Sequence, residues 1–129
     1  MVLLDSCVLI WIANGEHAKL SVTAREHLTT HPWAVSALSA WEIAIKHAAG
    51  KLSLRSDPQS WWSSVVAFHH LVLLDFSPAA AVRAGALPLL HADPFDRGLV
   101  ATALTRSIPL VTPDERIHAY RDVGLAVVW

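Results

Sequence analysis

Five short, mostly apolar runs punctuate this chain, at residues 2–5, 33–37, 71–76, 110–112 and 126–129, and a helix-forming segment follows each of the first four. The runs are apolar on both alternating sides, which is the pattern of strands in a parallel sheet covered by helices on both faces. Strand–helix alternation of this kind specifies an α/β protein with a central sheet of four to five parallel strands. The helix ends are written in local chemistry. Residues 6–13 close on Asn14-Gly15, and Ser21 caps a helix that reaches about Thr30. Ser39 is expected to cap a helix running to Ala49 and stopped by Gly50, with Glu42 three residues on at capping-box spacing. Asp57-Pro58, Ser77-Pro78 and Asp93-Pro94 each set a capping side chain before a proline at the first helical position. They open helices that reach about His69, Gly85 and Arg106, and a short helix follows Asp114.

A length of 129 residues suits one domain, residues 1–129, with a real core. Hydrophobic residues make up 53% and charged residues only 16%, which argues against disorder. The longest apolar stretch, SPAAAVRAGALPLL, is interrupted by Arg83, Gly85 and Pro88, too short and too broken to span a bilayer. Asp5 interrupts any leader-like apolar start. The expectation is a soluble cytoplasmic protein with no membrane association. Cys7 is the only cysteine, which excludes an internal disulfide and a multi-thiolate zinc site. Of eight histidines, only His27 and His31 have helical ligand spacing, and Pro32 follows at once, so a histidine zinc site is not expected. The formal net charge of −1 means that any nucleic-acid contact must rest on local basic groups or be weak and transient. Trp61 and Trp62 are adjacent on a helix and are not expected to face one core. The apolar excess and the six tryptophans therefore suggest a dimer or a groove for a partner protein.

Chemistry is concentrated in the acids. Asp5, Glu42, Asp96 and Asp114 come from distant parts of the chain, with Asp93 three residues before Asp96. In open α/β sheets the site lies beyond the carboxyl ends of the strands. Carboxylates gathered there with few cations repel one another, which raises some pKa values unless a divalent cation compensates. An all-oxygen set suits Mg²⁺ or Mn²⁺ acting on phosphates. Each acid also has a structural alternative: Asp5 as an N-cap, Glu42 as a capping-box member or i,i+4 partner of Lys46, and Asp93, Asp96 and Asp114 as complements to helix N-termini. Lys46 and Arg97 are the nearest cations in sequence and are candidates to position a phosphate, ahead of Arg106 and Arg116; the alternative for each is a solvated charge or an acid's partner. Ser6 and Thr112 would order metal-bound water or cap helices, and His91 reads as a surface histidine.

The segments LLDSCVLIW, VSALSAWEIAIKHAAGKLSL, HADPFDRGLVATAL and VTPDERI, in this order, resemble the four blocks of PIN-domain ribonucleases, and in particular VapC-type toxins of bacterial toxin–antitoxin pairs. The resemblance covers essentially the whole chain. It implies a three-layer α/β/α sandwich and Mg²⁺- or Mn²⁺-dependent endoribonuclease activity on RNA. It also implies inhibition by a cognate antitoxin and a homodimer. Carried over by position, it implies Asp5, Glu42, Asp96 and Asp114 as catalytic residues, with Asp5, Asp96, Asp114 and the accessory Asp93 on the metal. Ser6 and Thr112 match polar positions beside it. Gly98 falls where the family has an apolar helix residue, and a helical glycine costs about 1 kcal/mol relative to alanine. A looser start to that helix is therefore expected. Haloacid-dehalogenase-like phosphatases need a second Asp where Cys7 stands, and receiver domains need an acid pair after the first strand and a late lysine. The remaining rival is a catalytically degenerate PIN-like scaffold acting as a protein-interaction module, which metal-dependent turnover would separate from the enzyme.

Overall fold

A computed structural model describes residues 1–129. Five strands, β1 (Val2–Leu4), β2 (Trp33–Ser36), β3 (Val72–Leu74), β4 (Leu110–Val111) and β5 (Val127–Val128), form one sheet in the order β3-β2-β1-β4-β5. All four pairings are parallel. The helices are α1 (Ser6–Ala13), α2 (Val22–Thr30), α3 (Ala37–Ala48), α4 (Pro58–Phe68), α5 (Pro78–Ala86), α6 (Pro94–Arg106) and the single turn α7 (Glu115–His118).

Side chains alternate across a strand, so each central strand feeds two cores. Val2, Leu4, Val35, Val111 and Val128 point to one face, where they meet Val8, Leu9 and Ile12 of α1, Leu28 of α2, Ile43 of α3 and Trp61 of α4. Leu3, Ala34, Leu74 and Leu110 point to the other, against Leu99, Val100 and Ala103 of α6, Ile117 of α7 and Tyr120. This is the expected three-layer α/β/α sandwich. Full burial of each Leu or Val contributes about 1.5–3 kcal/mol. Truncating Leu3, wholly buried between β1 and α6, is the kind of change that costs about 2–5 kcal/mol.

Four sequence expectations need correction. The cap of α3 is Ser36, whose hydroxyl accepts from Leu38 N at 3.1 Å; Ser39 lies inside the helix, so Glu42 is one turn too far along for a capping box. β3 is an edge strand, and Val72 and Leu73 are exposed, so that strand is not covered on both faces. Trp61 and Trp62 do pack on the same core cluster, Trp61 buried and Trp62 half-buried at its margin; the exposed tryptophan is Trp41. Gly98 does not loosen α6, which runs unbroken from Pro94. A Cβ there would collide with Leu38 Cδ1 and press on Phe76 at 3.4 Å, so the missing side chain lets α3 and α6 approach each other.

Strand order places the chain reversal between β1 and β4: the chain moves outward from β1 to β2 and β3, then returns to the other side of β1 for β4 and β5. That switch point is where an open α/β sheet forms its cleft. Asp5 follows β1 there, and Thr112 follows β4.

Candidate active site

Asp5 stands at the N-cap position of α1 but makes no side-chain cap hydrogen bond. Its Oδ2 instead accepts from Thr112 Oγ1 at 2.6 Å, across the switch point. Thr112 also accepts from Asp114 N at 3.1 Å, so one wholly buried hydroxyl links the ends of β1 and β4. Asp5 is 6% exposed, and burial raises its pKa despite the Thr112 bond, with Glu42 and Asp114 adding to the rise.

Asp93 caps α6, its Oδ1 accepting from Phe95 N at 2.8 Å and Asp96 N at 3.4 Å. Asp96 lies in the first turn. Burial, then the charges of Asp5, Asp93, Glu42 and Asp114, push its pKa up to about 8. Glu42, buried on α3, pairs with the half-exposed Lys46 at 3.2 Å. Burial opposes the charge on Lys46, but Glu42 and then Asp96 and Asp93 outweigh it and raise the lysine pKa. Asp114 caps α7, with Oδ1 accepting from Arg116 N at 2.9 Å. Burial would raise its pKa, but His91 and the Arg116 backbone N–H outweigh that and lower it.

Glu42, Asp93 and Asp96 offer oxygens within 4.8 Å of one another, and Asp96 and Asp114 meet around His91 within the same span. Asp96 is thus shared between the two groups; Asp5 belongs to neither and is linked to them through Thr112 and Asp114 N. An oxygen-rich set with one ammonium among the acids suits a hard divalent cation such as Mg²⁺ or Mn²⁺. The buried Ser6 Oγ, next to Asp5, has no protein hydrogen-bond partner, which fits a further polar ligand at this end of the sheet.

Two expected placements differ. Arg97 does not reach the acids: Nη1 donates to Pro88 O (3.1 Å), His91 O (3.5 Å) and Tyr120 Oη (3.2 Å), and Nη2 to Ala84 O (2.8 Å) and Leu87 O (3.0 Å). It ties the end of α5 to α6 instead of facing a phosphate. His91 is not on the surface; it is 3% exposed, with Nε2 between Asp96 and Asp114. Its one sequence signal was a position two residues before the Asp93 cap, where a ring nitrogen can accept the Asp93 N–H. Arg106 lies at the opposite end of α6, whereas Arg116 is beside Asp114 and exposed. Cys7 is half-buried, and burial, reinforced by Asp5, pushes its thiol well up, so it is no nucleophile.

A parallel α/β sandwich that pools acids from four elements at its switch point defines a class of carboxylate-centred α/β proteins. The chain belongs to the PIN domain family, whose model matches residues 2–123. It is 32% identical over 130 residues to Ribonuclease VapC22 of Mycobacterium tuberculosis, covering 99% of this chain and 98% of that protein. Among solved structures it resembles VapBC2 from Rickettsia felis bound to a DNA fragment from their promoter, with a TM-score of 0.69, 16% identity, and coverage of 98% of this chain and 97% of that one. It also resembles DNA-bound VapBC from Salmonella typhimurium, with a TM-score of 0.66, 20% identity, and coverage of 98% and 95%. At these identities the structural likeness speaks for the fold. No helix is long and apolar enough to cross a membrane.

Proposed function

We propose that this protein is a metal-dependent endoribonuclease, the toxin of a toxin–antitoxin pair, which hydrolyses RNA phosphodiester bonds and is held inactive by its antitoxin. The observation that carries the reading is the convergence of Glu42, Asp93 and Asp96 within 4.8 Å, with Asp96 pushed up to about 8. That cost of assembly is hard to explain by capping and is relieved by a divalent cation. The relative named Ribonuclease VapC22 supports the substrate, and the VapBC complexes support an antitoxin partner.

Asp5, Asp96 and Asp114, with Asp93 as an accessory, would hold Mg²⁺ or Mn²⁺, and Glu42 would complete the cluster. Such an ion supplies Lewis-acid polarisation of the phosphate and a more acidic water. Thr112 fixes the Asp5 carboxylate against that site. Lys46, half-exposed beside Glu42, is placed to meet a phosphate oxygen, and Arg116 at the other rim is free enough to do the same. Ser6 would order water. Attack by water, and not by the ribose 2′-hydroxyl, leaves 5′-phosphate and 3′-hydroxyl ends. The exposed Trp41, edge-on to Phe95 at 5.1 Å, joins Leu38, Phe76 and Pro94 in an apolar groove beside the acids that suits an antitoxin segment. The unpaired edge at β3, with Val72 and Leu73 exposed, offers one surface for a homodimer. The reading places the protein in the cytoplasm, with its RNA.

The test is cleavage of total cellular RNA by antitoxin-free protein in Mg²⁺ or Mn²⁺, with Asp5→Asn alongside and the ends sequenced. Metal-dependent cuts lost in Asp5→Asn support the enzyme; 2′,3′-cyclic phosphate ends would rule out hydrolysis by water. A protein that binds no Mn²⁺ and cuts nothing would be a degenerate scaffold.

A further inference from the structure

His91 lies in the connection between α5 and α6 and is held there from both sides. Its N–H donates to Tyr120 Oη at 3.1 Å, and its carbonyl accepts from Arg97 Nη1 at 3.5 Å. The two ring nitrogens face opposite demands. Asp93 N donates to Nδ1 at 3.1 Å, so Nδ1 must present a lone pair. The hydrogen of the neutral ring then sits on Nε2. Nε2 is 3.0 Å from Asp96 Oδ2 and 2.9 Å from Asp114 Oδ2. A nitrogen that carries the hydrogen donates it to Asp114 Oδ2, with Asp96 Oδ2 alongside at 3.0 Å, and has no lone pair left for a cation. His91 is therefore not a ligand, although its distances alone would allow one.

We propose that His91 is a positioning residue: its Nε2–H holds Asp114 Oδ2 by a hydrogen bond and sets it beside Asp96 Oδ2, 3.0 Å from the same nitrogen, presetting the two carboxylates to receive a divalent cation together. The inference rests on the metal-site reading above. Asp96 comes from α6 and Asp114 from the loop after β4, and no hydrogen bond joins them directly. The Asp96 carboxylate accepts no hydrogen bond from the protein, and the ring nitrogen lies 3.0 Å from it. Asp114 is oriented at its other oxygen by Arg116 N, so His91 and that N–H fix Asp114 at both oxygens and leave Asp96 the freer acid beside it. Without it, nothing would hold the two carboxyl groups, on separate elements, side by side. Hydrogen-bond partners of ligating groups typically change metal affinity by roughly 10- to 100-fold.

The experiment is Mn²⁺ titration, followed by electron paramagnetic resonance, of the native protein, His91→Leu and His91→Gln, with thermal melts in parallel. Glutamine can place an N–H near the Nε2 position; leucine cannot. The expected result is Mn²⁺ binding roughly 10- to 100-fold weaker in His91→Leu, restored to within about threefold in His91→Gln. Equal affinity in all three proteins, with only a lower melting temperature in His91→Leu, would overturn the proposal and leave a purely structural histidine. If His91→Leu does not fold, His91→Asn, polar but too short to reach both acids, carries the same comparison. Absence of Mn²⁺ binding in the native protein would reject the metal site itself and the proposal with it, an outcome visible before any variant is compared.

Discussion

Replacing Arg97 by methionine separates the phosphate-positioning role expected from the sequence from the tether between α5 and α6 that the structure shows. Methionine keeps most of the unbranched stem and removes all five donated hydrogen bonds, four of which are within 3.2 Å. A hydrogen bond from a charged donor contributes about 1.5 kcal/mol at the low end, so the four together would give about 6 kcal/mol. Part of that returns on mutation, because the Ala84 and Leu87 carbonyls lie at the open end of α5, where water can replace the guanidinium. A net loss of about 3 kcal/mol remains, similar to removing one partner from a buried charged network. At roughly 3–4 °C per kcal/mol for a chain of this size, the melting temperature should fall by about 10 °C. Thermal melts and cleavage kinetics at saturating Mn²⁺ check this, at a temperature where the variant remains folded. Cleavage should stay within about threefold of native, and the KM for RNA should not change. A melting temperature within about 2 °C of native, together with a large rise in KM, would refute the reasoning and return Arg97 to phosphate positioning.

Gly98→Ala sets helix propensity against space. Alanine gains about 1 kcal/mol inside α6, but the Cβ must displace Leu38 and press on Phe76, an overpacking cost of about 2 kcal/mol. A net loss of about 1 kcal/mol in urea denaturation is expected, and a stabilised variant would count against close helix approach as the reason for glycine. In chelator, stability should depend on pH through Asp96. Its folded pKa of about 8 exceeds its ordinary 3.8, so the folded state binds the extra proton. The stabilisation is full below about pH 4 and is lost as pH rises through 8, so melting temperature should rise as pH falls from 8 to 5. Mn²⁺ should restore stability at pH 8, and a flat profile in chelator would contradict the raised pKa.

Much of the fold could be read from local chemistry. Ser21, Asp57, Ser77 and Asp93 each cap the helix that their side chains announce, because capping joins neighbours in sequence. The errors came where a distant element decides. Ser36 and Ser39 are both plausible caps, and only the length of β2 selects the first. Gly98 reads as a helix weakness until α3 is laid across it. Edge and centre strands have the same apolar sequence, so the exposure of β3 follows from strand order alone. Arg97 lies one residue from Asp96, yet on a helix adjacent residues point about 100° apart, and this one turns toward α5. His91 is a further case, since its partner Asp114 lies 23 residues away.

Capping a helix and facing a common site are compatible for these acids. Asp93 caps α6 and Asp114 caps α7, each committing an oxygen to a backbone N–H. Those hydrogen bonds fix the direction of the carboxylate and leave other lone pairs for further contacts. Asp5 does the reverse: it occupies a cap position, leaves the cap unmade, and turns to Thr112 across the sheet. Glu42 is steadied by Lys46. Asp96 has no cap and accepts no hydrogen bond from the protein, with only His91 Nε2 close by at 3.0 Å, and burial followed by the charges of the four other acids pushes its pKa up to about 8. The local fold thus orients four carboxylates with interactions of its own and leaves the fifth at their centre to be satisfied by something else. A cation placed there gains most from Asp96, and the four oriented acids determine where it can sit.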